Sequence, residues 1–71
     1  MKRLVITIEK GPELYEAWAE NASGIYGAGN SEKEVKADII KAIDLYKRHN
    51  EEVNIPDILK NDFKIEWHIK T

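Results

Sequence analysis

The sequence predicts an α+β domain in the order β-β-β-α-β, with one long helix covering one face of a four-stranded sheet. Three observations predict it. A capped amphipathic segment begins at Ser31, a strictly alternating run begins at Phe63, and shorter alternating runs separated by glycine-bearing turns precede both. Period-two alternation marks half-buried strands, whereas apolar residues three and four apart mark a helix with one buried stripe.

The helix is the organising element, within residues 24–46. Ser31 followed by Glu34 is a capping box: the serine hydroxyl takes an N–H of the first turn and the glutamate returns to the serine N–H. Val35, Ile39, Ala42, Ile43 and Tyr46 then form one apolar stripe, opposite Lys33, Glu34, Lys41, Asp44 and Arg48. Arg48, His49 and Asn50 suit its C-terminal end, where cations meet the negative end of the dipole and asparagine adopts a left-handed cap.

Ahead of the helix, residues 3–9 alternate, with Leu4, Ile6 and Ile8 against Arg3, Val5, Thr7 and Glu9. Gly11-Pro12 makes a tight connection into a second strand at residues 14–20. Its small residues, Ala17 and Ala19, lie with Tyr15 on the side where a helix can approach, so Trp18 belongs to the far face with Glu16 and Glu20. Residues 21–24 turn into a short third strand at 25–28, where Gly27 and the following Gly29 signal close backbone approach or a bulge. Behind the helix, residues 51–54 are a polar connector and residues 55–60 a single helical turn, with Pro56 at its start and Ile58 and Leu59 tucked under the sheet edge. In the last strand Phe63, Ile65, Trp67 and Ile69 oppose Lys64, Glu66, His68 and Lys70. Nothing in this local pattern says which edge the last strand joins.

A chain of 71 residues is one domain, 1–71, whose core supplies roughly 3–5 kcal/mol unless something staples it. Without cysteine there is no disulfide and no thiolate metal site. Self-association into a homodimer or higher homo-oligomer is therefore expected, because an interface buries apolar surface that a small core does not. The net charge of −2 argues against a broadly basic nucleic-acid surface. No apolar run approaches a membrane span, and the run after Met1-Lys2-Arg3 is too short for a signal peptide, so the expected location is cytoplasmic.

Few residues suggest chemistry. Zinc asks for three or four ligands at characteristic spacings, but His49 closes a helix and His68 faces out from a strand. A two-metal hydrolase needs converging carboxylates, and Glu9, Glu16, Glu20 and Asp62 are scattered along the chain. The glycines at 24, 27 and 29 lead into Asn30-Ser31 instead of the Gly-Lys-Ser/Thr of a phosphate loop, and the Ser31 hydroxyl is committed to the cap. No cofactor, metal or catalytic residue is expected. What remains is an apolar patch of Trp18 and Val5, joined by Tyr26 where Ile25 faces the helix, on the uncovered sheet face and rimmed by Glu16 and Glu20: an aromatic anchor with an acidic edge for a protein partner, against the competing reading that the 55–59 turn folds over these aromatics or that they pack on lysine stems.

These residues also resemble a known family. The opening Leu4-Val5-Ile6-Thr7-Ile8-Glu9-Lys10, the strand Tyr15-Glu16-Ala17-Trp18, and the stretch from Gly24-Ile25-Tyr26-Gly27 through Asn30-Ser31-Glu32 to Val35 look like the N-terminal domain of HicB-type antitoxins. Asn30-Ser31 stands where that family carries Asp-Thr, which keeps the cap. The resemblance covers about residues 2–48 best. It implies a partial ribonuclease H-like fold, a mixed sheet of order 3-2-1-4 with the last strand parallel to the first, and no nuclease activity. It also implies masking of a small, basic, messenger-RNA-cleaving toxin of the HicA type. In the family a separate C-terminal segment binds operator DNA; here the sequence ends at Thr71, so no specific DNA binding is expected. The competing expectations are a self-associating domain with no toxin partner and a small ribonuclease H-like hydrolase.

Overall fold

The structure is a computed structural model that describes residues 2–49, 55, 57–60 and 62–70. Its elements are β1 (Lys2–Lys10), β2 (Tyr15–Ala19), β3 (Tyr26–Gly29), α1 (Glu32–His49), α2 (Asp57–Lys60) and β4 (Phe63–Lys70). The four strands form one mixed sheet in the order β3-β2-β1-β4, antiparallel except for the parallel pair β1 and β4. That is the order the family resemblance implied. The residues proposed as the helix cap (Asn50), the polar connector (51–54) and the helix-starting Pro56 lie outside the described residues.

Strand parity works as the alternation requires. Leu4, Ile6 and Ile8 are fully buried, and they meet Ala17 of β2, Ile25, Leu59, and the helix stripe Val35, Ile39 and Ile43 in one core. Ala42 and Tyr46 complete the stripe half-buried, while Lys33, Glu34, Lys41, Asp44 and Arg48 are exposed. Leu59 carries α2 into this core on the helix side of the sheet, so α2 packs beneath β1 and does not fold over Trp18.

Small residues decide how close α1 comes. It packs on β3 and β2, and a Cβ added to Gly29 would stand 2.7 Å from the Val35 backbone nitrogen and 2.8 Å from Glu34 Cβ. The register runs unbroken from Tyr15 opposite Gly29 to Trp18 opposite Tyr26, so these glycines mark close approach and not a bulge. Gly24 is the one described residue with a left-handed backbone, φ 84°, and a Cβ there would meet the Tyr46 ring at 2.8 Å.

Three local expectations need correction. The second strand is shorter than residues 14–20, because the Leu14 carbonyl accepts the Gly11 N–H at 2.8 Å and closes the turn instead of joining the ladder. The third strand runs one residue later than residues 25–28, over Tyr26–Gly29; Ile25 is buried in the core and only its carbonyl meets β2, accepting the Ala19 N–H at 3.1 Å. At the helix start Ser31 Oγ accepts the Glu34 N–H at 3.1 Å, but the Glu34 carboxylate lies 3.4 Å from the same hydroxyl instead of reaching the Ser31 N–H. The serine still satisfies a first-turn donor.

Candidate functional site: the open face of the sheet

Because Leu4, Ile6 and Ile8 point to the helix, Arg3, Val5, Thr7 and Glu9 point to the other face, which no described element covers. The registers carry this outward set across the sheet. Tyr26, Trp18, Thr7 and His68 form one cross-strand row, and Ala28, Glu16, Glu9 and Lys70 form the next. The five residues singled out from sequence, Val5, Glu16, Trp18, Glu20 and Tyr26, thus lie on or at the end of one face. Tyr26 is 69% exposed, and Trp18 is half-buried.

Glu20 links the centre. One carboxylate oxygen, Oε1, accepts the Thr7 hydroxyl at 2.7 Å and the Trp18 indole N–H at 2.8 Å. The polar edge of the indole is therefore satisfied within the chain, and its apolar ring is what it offers a partner. The Thr7 hydroxyl, followed by the indole N–H, holds the Glu20 carboxyl below the usual carboxylate range. Glu66 is likewise lowered, first by its hydrogen bond with His68 Nε2 at 2.6 Å, with Arg3 adding a salt bridge at 3.0 Å. Lys70 reaches Glu9 at 3.5 Å.

The face is accordingly two-sided in charge. Glu9, Glu16 and Glu20 gather around the aromatic pair, whereas β4 brings Lys64, His68 and Lys70 beside Arg3 on the other half. The acidic rim expected around Trp18 is present on the β2 side, and the β4 side carries the opposite character. Both lowered carboxylates are stabilised as anions by folding, so their contribution is complete above the unfolded carboxylate pKa of about 4.3 and disappears as pH falls through the lower folded values. The thermal midpoint should fall over that acidic interval, and Glu20→Gln should flatten part of the fall; a Glu20→Gln profile parallel to the parent would contradict the Glu20 assignment.

Asn21 is the residue that sequence reading placed in a plain turn and the structure gives a larger part. Its side chain accepts the Val5 N–H at 2.9 Å and donates to the Arg3 carbonyl at 2.8 Å, extending the β1–β2 ladder one step beyond the end of β2. The only sequence signal is an amide side chain directly after a strand. Asn21→Ala removes both bonds and should cost about 1–2 kcal/mol, measured by denaturant unfolding. Asn21→Asp restores only the acceptor and should recover part of the loss.

Among the described residues no three His, Asp or Glu side chains converge as ion ligands, and no helix is long and apolar enough to cross a membrane. The arrangement offers recognition chemistry: an aromatic centre held by hydrogen bonds, with fixed charges of both signs around it. In comparisons with known proteins, no family model, no curated protein and no solved structure matches this chain.

Proposed function

We propose that this chain is an antitoxin-like protein-binding module, whose open sheet face holds and masks a small basic messenger-RNA-cleaving toxin of the HicA type. The observation that carries the reading is the Trp18–Tyr26 pair, adjacent across β2 and β3 on a sheet face that no described element covers. Large aromatics in such positions are the usual anchors of protein interfaces. Glu9, Glu16 and Glu20 on the same half favour a basic partner, since complementary charge speeds encounter and fixes orientation. The sheet order 3-2-1-4 is also the one the HicB-type resemblance implies. In this reading the domain binds without catalysis, acts in the cytoplasm where such a toxin meets messenger RNA, and does not itself select a DNA sequence.

The test uses the intact chain and a small basic ribonuclease encoded beside it. Added in equimolar amount, the chain should suppress RNA cleavage, and amide shift changes on binding should centre on residues 16–20 and 26. Cleavage unaffected by excess chain, or shift changes confined to α1, would contradict the proposal.

A further inference from the structure

The sheet's two edges are finished differently. β3 is a four-residue edge, and the N–H of Ala28 that points outward from it is taken by Asp38 Oδ2 of α1 at 2.9 Å. β4 is an eight-residue edge, and α1 lies over β3 and β2 instead. On the helix side of the sheet this leaves an apolar band half-covered: Ile69 is 50% exposed, Ile40 of α1 is 50% exposed, and Trp67 is half-buried beneath the Lys36 ammonium at 5.4 Å. A long edge beside exposed apolar side chains is a template for another strand.

We propose that the occupant is β4 of a second copy, paired antiparallel about a two-fold axis at Trp67, so that the two sheets become continuous. The strand is self-complementary in that register. On the helix side Trp67 meets Trp67 of the second copy and Ile65 meets Ile69, each pairing apolar. On the open side Glu66 meets His68 of the second copy, twice by symmetry, and these are the two groups that already bond at 2.6 Å within one chain. The like-charged pairing, Lys64 with Lys70, falls at the outer ends in water, where Glu9 holds Lys70 at 3.5 Å. Pairing also closes the assembly, because the edges left over are the short β3 strands with their Asp38 contact, so a dimer forms and not a fibre. This inference is independent of the toxin-binding reading, since the Trp18 face stays open in the dimer.

Sedimentation of the intact chain at tens of micromolar tests it together with two sets of variants. The parent should sediment as a dimer. Ile69→Lys, at an exposed position, should weaken association roughly tenfold or more while the circular dichroism spectrum stays unchanged. The chain lacks cysteine, so a mixture of single variants Glu66→Cys and His68→Cys reports the register directly. Opposed residues of antiparallel strands lie about 4.5–5.5 Å apart at Cα, within disulfide reach. The mixed disulfide should form in preference to either symmetric one. A monomeric parent, a dimer indifferent to Ile69→Lys, or symmetric disulfides at least as abundant as the mixed one would overturn the proposal.

Discussion

Gly29→Ala should destabilise the domain by about 2–3 kcal/mol, a large share of what a core of this size supplies. The added methyl would lie 2.7 Å from the Val35 backbone nitrogen, 2.8 Å from Glu34 Cβ and 2.9 Å from the Glu34 carbonyl carbon. Two of those three atoms belong to the main chain of the first turn of α1, so no side chain can swing aside to make room. The helix start must lift off β3, which loosens Val35 and Ile39, both fully buried. Gly27→Ala is the informative control. There the nearest atoms are Ile39 Cγ1 at 3.0 Å and Cδ1 at 3.1 Å, and the closest main-chain atom, the Ile39 nitrogen, stands at 3.2 Å instead of 2.7 Å, so its cost should be smaller. Denaturant midpoints for the two variants check the order, and equal or reversed costs would contradict the close approach described for the helix N-terminus.

The parts of the fold that were legible in the sequence are those set by local periodicity. The inward set of β1 and the stripe of α1 follow from period two and period 3.6, and the buried residues Leu4, Ile6, Ile8, Val35, Ile39 and Ile43 are the ones those patterns select. Trp18 falls on the far face for the same reason, through the small Ala17 and Ala19 beside it. Sheet order is different, because alternation records which face a residue occupies and carries no information about which strand lies alongside. The order 3-2-1-4 comes from the family resemblance instead, and the pairing of β4 with β1 is what sets Lys64, His68 and Lys70 beside Arg3 on the open face. The displaced third strand was hidden by its glycines, which supply no side-chain parity to read. The Asn21 bridge and the double acceptor role of Glu20 depend on atomic distances that no spacing rule encodes.

Trp18→Ala should weaken binding of the proposed basic partner by about 2 kcal/mol or more, close to thirtyfold, as expected if the indole anchors the open face. The ring sits between Thr7 and Tyr26 in the cross-strand row, with its N–H fixed on Glu20 at 2.8 Å. That bond restricts the rotamers of the free chain, so little side-chain entropy is left to lose when a partner covers the ring. Removing the indole also frees Glu20, whose carboxylate keeps only Thr7, and disperses the negative charge next to the anchor. The same substitution should cost only about 1–2 kcal/mol of stability, because the side chain is half-buried and contributes one hydrogen bond.

The most direct measurement is the dissociation constant of the proposed toxin complex for the parent and for Trp18→Ala, taken at a temperature where both are fully folded by circular dichroism. Recognition through the open face predicts a loss of thirtyfold or more with the variant still folded. An unchanged dissociation constant for a folded Trp18→Ala would show that the partner is held elsewhere and would contradict the proposed function.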